Sequence, residues 1–268
     1  MDPIHPTAIV HPAAKIHPSV LIGPYAVIGA EVELGAGCEV GPHVHLTGRV
    51  HAGSGNRFHA GCVIGDEPQD ARYKGEATVV RIGDNNRFRE HVTVHRSNSL
   101  AEDTVIGSNN LLMAGSHVGH NTRLGNHVVL ANGALLAGHV TVDDRAFISG
   151  NCLVHQFVRV GSVALMQGGS AISKDLPPFT IARGDNGICG LNIIGLRRAG
   201  VGSAERMELK KLYHRLFRSG QSLRSAVAGA GSEFPYAPSQ AMIEFIRASK
   251  RGVCADKRRS RAAAESEE

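Results

Sequence analysis

The sequence predicts an all-β fold, a parallel β-helix of hexapeptide repeats, followed by a small C-terminal α-helical region. Three observations carry this reading. An apolar residue recurs every six positions, aromatics are scarce while glycine is abundant, and the period changes after Ile172. From Ile4 the step of six meets Val10, Ile16, Ile22, Ile28, Leu34, Val40, Leu46, Ala52, Phe58 and Ile64. The phase returns at Ile82, Phe88 and Val94, and again from Ile106 to Ile172. Such a period fits neither a helix nor simple strand alternation. One short strand plus one turn consumes a hexad, and three hexads close a roughly triangular coil of about 18 residues. The fourth residue after the aliphatic is usually small, as at Ala26, Cys38, Cys62, Ala134 and Cys152, and points inward with it. Coils stack at the strand spacing, about 4.8 Å. A core of this kind needs few aromatics, which make up 4% of the 268 residues, with no Trp and 32 Gly. Glycine often follows the aliphatic, and glycine serves the tight corners because it tolerates positive φ. Asn56, Asn86 and Asn110 fall on the small inward position, where stacked amides can satisfy one another.

Two polar stretches interrupt the phase: DEPQDARYKGEATVV, residues 66–80, and RSNSLAED, residues 96–103. A stacked scaffold can extrude such loops and place function on them. Pro177 and Pro178 end the strand pattern. SAERMELKKLYHRLFRSG starts with Ser203 as a cap and carries Met207, Leu209, Leu212, Leu216 and Phe217 near helical spacing. PSQAMIEFIRASKRG reads as a second amphipathic helix, and the polar end ADKRRSRAAAESEE as disordered. The chain thus divides into a β-helix over 1–180, a helical domain over 181–252 and a disordered tail over 253–268.

Composition excludes several classes. The five cysteines, Cys38, Cys62, Cys152, Cys189 and Cys254, are odd in number and contain no C-x-x-C, which argues against a disulfide framework and a structural zinc site and fits a reducing compartment. The N-terminus lacks a basic and apolar leader, and no run of about 18 apolar residues offers a membrane span. Net charge is +5 with pI near 9.1, which suits an acidic partner, phosphates or a basic tail.

The segment SHVGHNTRLGNHVVLANGALLAGHV carries His117, His120, His127 and His139. Read alone, these are metal ligands, catalytic groups or decoration, and with 15 histidines in the chain the residue type by itself decides little.

The prism with its helical cap resembles the UDP-N-acetylglucosamine O-acyltransferase family of lipid A biosynthesis over nearly the whole chain. The resemblance rests on IGDEPQDARYKGE, IGDNNRFREHVTVHR, GSNNLLMAGSHVGHNTRLGNHVVLANGALLAGHV, VHQFVRVG, DLPPFTIARG, GLNIIGLRRAG and IRASKRG, in that order. It implies a left-handed parallel β-helix, a cytoplasmic homotrimer, and transfer of a 3-hydroxyacyl chain from acyl carrier protein to the 3-hydroxyl of UDP-N-acetylglucosamine. No cofactor and no metal is expected, because the donor rides on the phosphopantetheine of acyl carrier protein; nor is nucleic acid a partner. The resemblance makes His120 the general base, a role imidazole suits near neutral pH. It gives the oxyanion donor to the backbone N–H of Gly138, one coil away. Gln69, Asp70, Arg72, His117, His139, His155, Gln156, Asn192 and Arg198 are its substrate-binding positions, and Gly168 closes the acyl groove. His127 matches no site and reads as surface.

This chain departs from the family at four places. Arg72 stands where Lys is more usual, Asn121 follows the base where Asp is common, Ile194 replaces an acidic residue and Ala199 a basic one. Arg197, Arg198, Arg206, Lys210, Lys211, Arg215 and Arg218 form a basic set suited to the acidic carrier. Competing readings are the later N-acyltransferase of the same pathway, which carries a domain ahead of its prism, an acetyl-coenzyme A-dependent acetyltransferase, and a structural or ice-binding β-helix, which would show outward Thr ladders.

Overall fold

The computed structural model describes residues 3–256. Short strands line up in three sheets, one on each side of a left-handed coil. The first sheet has nine strands, from Ile9–Val10 to Ala171–Ile172, and the second has eight, from Lys15–Ile16 to Arg159–Val160. The third has eleven and starts at Leu21–Ile22. Pairing is parallel with a register of 18: His117 faces Leu135, and Leu135 faces Leu153.

The interruptions keep this register. Val63 pairs with Thr93, 30 residues on, and Thr93 with His117, 24 on. The surplus over 18 is 12 and 6, whole hexads in both places. The first extruded loop is shorter than 66–80, because Asp66 ends the strand Val63–Asp66 and Val79 begins the strand Val79–Ile82. The second joins Thr93–His95 to Thr104–Ile106.

All the periodic positions from Ile22 to Ile172 are buried. Ile4 is 39% exposed and Val10 and Ile16 only partly covered, since no coil lies beneath them. Phe58 and Phe88 stack at 4.9 Å inside the prism. The three inward asparagines form a ladder. Asn86 Nδ2 donates to Asn56 Oδ1 and to the Gly107 carbonyl, each at 2.9 Å, and Asn86 Oδ1 accepts the Asn110 N–H at 2.9 Å. Cys38, Cys62 and Cys152 are buried small fillers.

Positive φ falls at the corner three residues after the aliphatic, where glycine takes it as expected at Gly37, Gly55 and Gly133, and where Tyr25, Asn85, Asn121, His127 and His139 also stand. The glycine directly after the aliphatic has a second task, close approach: a Cβ on Gly35 would lie 2.7 Å from the Gly53 carbonyl carbon.

The strand regime outlasts Pro178. Thr180–Ala182 pairs with Leu165–Met166, and Gly187–Leu191 returns antiparallel to it. Four helices follow among the described residues: α1, Ile193–Arg198; α2, Ser203–Arg218; α3, Leu223–Ala228; and α4, Ala237–Arg247. α2 packs on α4 and buries Leu209, Leu212, Tyr213, Leu216 and Phe217. Met207 is 63% exposed and belongs to the outer face. Ser203 is the first helical residue and does not cap; the Gly202 N–H instead donates to Glu205 Oε2 at 2.6 Å. α1 and α3, six residues each, are too short to show a period. The disordered tail cannot begin at 253: Cys254 is buried and Ala255–Asp256 pairs with Gly187–Ile188. The buried Asp256 carboxylate accepts from Tyr213 Oη at 2.9 Å and Arg218 Nε at 2.8 Å. The rest of the expected tail, 257–268, lies outside the described residues.

Replacing Asn86 with Ala strands the Gly107 carbonyl and the Asn110 N–H in a dry interior. The expected loss is about 2–4 kcal/mol, read as a lowered chemical-denaturation midpoint. Asn132→Ala, at an exposed corner, should change it by less than about 0.5 kcal/mol.

Candidate active site

The stacking register builds the site at the corner after the first sheet. His120 lies there, two residues beyond the inward Val118, and Gly138 lies one coil above it. A Cβ on Gly138 would come within 2.5 Å of His120 Cε1 and Nε2, so only glycine leaves room for the ring at that position. His120 Nδ1 is 2.8 Å from Asn121 Oδ1. That oxygen also accepts the Asn98 backbone N–H at 3.1 Å, which fixes the amide's orientation. Nδ1 must therefore carry the hydrogen, leaving the Nε2 lone pair free beside Gly138.

Behind Asn121 a polar network ties in both loops. Asn121 Nδ2 donates to Ser97 Oγ at 2.7 Å, and the Asn121 N–H to Thr104 Oγ1 at 2.9 Å. Asn98 Nδ2 donates to Asp70 Oδ2 at 2.6 Å, and Arg72 grips Asp70 through Nε and Nη2 at 3.1 and 3.0 Å. The Arg72 side chain, with its own backbone N–H and Asn98, holds the Asp70 carboxyl well below the usual carboxylate range. Three further histidines crowd His120. His139 meets it edge-on at 5.1 Å and stacks on Phe157 at 4.5 Å. His95 meets His117 edge-on at 4.9 Å, and His117 Nδ1 lies 2.7 Å from Thr93 Oγ1. Burial lowers all three, His117 to about 4, with the neighbouring imidazoles adding to the effect.

Beside this corner the outward face of the first sheet forms a groove of about 560 Å3, lined by Gln69, His117, Leu135, Leu153, His155 and Ala171. Gln156 is exposed next to His155, and Gly168 sits at the opposite corner of that sheet. A Cβ on Gly168 would meet only the Gly150 carbonyl, at 3.5 Å. His127 is exposed at another corner.

Asn192 and Arg198 lie elsewhere in the chain. They line a second cavity, of about 710 Å3, over Phe147 and Leu165 of the third sheet. There Asn192 caps α1: its Oδ1 accepts the Gly195 N–H at 2.9 Å and its Nδ2 donates to the Val163 carbonyl at 2.8 Å. Its amide is thus already used in the single chain. Part of the expected carrier-binding set is also engaged inside the chain. Arg218 pairs with Asp256, Arg215 with Glu233, and Arg206 donates to the Val201 carbonyl. Arg197, Arg198, Lys210 and Lys211 remain exposed.

Sequence reasoning missed Glu102, Asn98, Phe157 and Arg251. Arg251, within IRASKRG, reaches 3.4 Å from His155 Nδ1 and donates to the Ser173 carbonyl at 3.2 Å. Only the quoted block hinted at it. Among the described residues, no group of three or more His, Cys, Asp or Glu is arranged to hold a metal ion.

A family model described as Udp N-acetylglucosamine O-acyltransferase, Domain 2, matches residues 175–254. The bacterial transferase hexapeptide model matches 13–48 and 103–138. The acyl-[acyl-carrier-protein]–UDP-N-acetylglucosamine O-acyltransferase of Gloeothece citriformis is 49% identical over 226 residues, 84% of this chain and 82% of its own length. The structure of the Francisella novicida UDP-N-acetylglucosamine acyltransferase superposes with a TM-score of 0.90 at 36% identity, covering 96% of this chain and 95% of that one. The Bacteroides fragilis enzyme gives 0.88 at 38%, covering 93% and 99%.

His117 provides a pH test. Its folded form protonates near pH 4, against an ordinary value of 6.5. The unfolded chain therefore binds the extra proton first as pH falls. Stability is full above pH 6.5 and is lost on the way down to pH 4, by about 3 kcal/mol. Denaturation curves across that window should show the slope, and His117→Gln should flatten it.

Proposed function

The chain belongs to the UDP-N-acetylglucosamine O-acyltransferase family, and we propose on that premise that it moves a 3-hydroxyacyl chain from acyl carrier protein to the 3-hydroxyl of UDP-N-acetylglucosamine, the first step of lipid A biosynthesis, with His120 as general base. One observation carries the mechanism: the free Nε2 of His120 faces the peptide of Gly138 on the next coil, with Nδ1–H locked by Asn121. Nε2 takes the sugar hydroxyl proton as that oxygen adds to the thioester carbonyl carbon. The Gly138 N–H, which makes no hydrogen bond to another described residue, is the donor for the oxyanion. The intermediate then collapses, the C–S bond breaks, and the imidazolium returns its proton to the thiolate. Gln69, Asp70 and Arg72 on the first loop, with His117, His139, His155 and Gln156, hold the sugar nucleotide. The acyl chain lies over Leu135 and Leu153 toward Gly168. No cofactor or metal takes part in this reading, and the reaction takes place in the cytoplasm. No helix among the described residues is long and apolar enough to cross a membrane.

The outer faces favour a homotrimer. The second sheet is charged outside, with Lys15–Glu33 at 2.6 Å, His51–Glu33 at 3.0 Å and Arg81–Asp103 at 2.5 Å. The upper coils of the first and third sheets instead present Leu135, Leu153, Phe147 and Leu165. Packing the first sheet of one protomer on the third sheet of the next closes a ring. It also brings Asn192 and Arg198 of the neighbour toward the groove. The exposed Arg197, Lys210 and Lys211 then steer the acidic carrier.

His120→Ala should lower kcat/KM by about 10²- to 10⁴-fold with the thermal midpoint retained; a folded variant at wild-type turnover would remove the base assignment. The shared site makes a second prediction. His120→Ala and Arg198→Ala chains, each inactive alone, should recover about a quarter of wild-type activity when co-expressed, from random mixing around a closed ring. A fully active monomer by light scattering contradicts it.

A further inference from the structure

The base changes charge during the reaction, and the surroundings of His120 contain little to balance the change. The titratable and charged groups around it come from the first sheet, the coil above and the two loops. His95 and His117 lie on the first sheet, with Asp66 and Arg96 acting on His95; His139 lies on the coil above, with Arg72 of the first loop acting on it; and Asp70 lies beside Arg72. The three histidines are held neutral by burial. Asp70 is spent on Arg72. The residue next to the base, Asn121, is an amide and brings no charge.

The second loop brings one. Glu102 Oε2 lies 3.5 Å from Asn121 Nδ2 and 3.6 Å from His139 Nδ1. Among the described residues it has no lysine or arginine partner. Its position is built: the loop is clipped to Asn121 at Ser97 Oγ and at the Asn98 N–H, and turns back where the Glu102 N–H donates to the Ser99 carbonyl at 3.4 Å. The Asn121 amide therefore faces the base on one side and the Glu102 carboxylate on the other.

We propose that Glu102 is a positioning residue that supplies the carboxylate of this site, acting through Asn121 and beside His139 to stabilise the charge His120 acquires when it takes the sugar proton. The proposal rests on His120 being the base. It assigns to an extruded loop the negative charge that the corner itself lacks, and it explains why Asn121 is tolerated there: its Nδ2 holds the loop that carries the acid.

The test uses the full-length chain, with kcat and KM measured across pH for wild type, Glu102→Gln, Asn121→Asp and the double variant. Glu102→Gln should lower kcat about tenfold or more with the KM for the nucleotide sugar little changed. The acidic limb of its kcat profile should move to lower pH, because the imidazolium has lost its counter-charge. Its thermal midpoint should stay, since the side chain is 54% exposed. The double variant should recover most of the lost kcat, because Asp at 121 returns a carboxylate to the base. Wild-type kcat and pH profile in Glu102→Gln overturn the proposal. So does a loss that the double variant fails to restore, which would mark Glu102 as loop structure alone. If His120→Ala is inactive while Glu102→Gln is unaffected, the Glu102 role falls and the base reading stands. Turnover in His120→Ala removes both.

Discussion

Parallel hydrogen bonding between coils, in a register of 18 residues, is the constraint on which everything else in this molecule depends. Each coil's N–H groups donate to, and its C=O groups accept from, the coils above and below, so no backbone may drift from the column beneath it. A slip of one residue would turn the inward Ile and Leu outward on every side. The tight glycines follow from the same demand, because successive corners approach too closely for a Cβ. The loops obey it as well, since both insertions are whole hexads and the phase resumes beyond them.

Columns created by this register also create the chemistry. One column puts Gly138 over His120. The next carries Asn121, His139 and Phe157, all with positive φ, so their side chains project from the corner in a stack. The loops emerge from coils below and fold up over these columns. Their polar side chains are used largely on one another, in the chain from Arg72 through Asp70 and Asn98 to Asn121. A network so fully satisfied is rigid, and rigidity keeps the imidazole in one tautomer and one orientation.

Charge is distributed with the same economy. Burial keeps the histidines around His120 neutral, so no standing imidazolium lies beside it. Two of the basic side chains of α2, Arg215 and Arg218, serve internal ion pairs, among them the pair that ties the strand Ala255–Asp256 to the helix. The positive surface left for a partner is narrower than the count of arginines and lysines suggests.

The sequence by itself determined the coil, its period, the inward residues, the asparagine ladder and the placing of His120 one coil below Gly138. Those features repeat locally, and a repeat written in the chain is a distance in space once strands stack. It also located both loops and the two longer helices. It did not separate the glycines that take positive φ from those that permit close approach, because both leave the same letter, and it missed α1 and α3, too short for any period. Contacts between residues at no fixed spacing were out of its reach. Glu102 meets Asn121 and His139, and Arg251 meets His155, only because loops and the helical cap fold back onto the prism. The end of the strand region was likewise decided late: residues 255–256 add to the third sheet beside Gly187 because Asp256 finds Tyr213 and Arg218 there. Such pairings depend on where separate elements land, which only the assembled tertiary structure fixes.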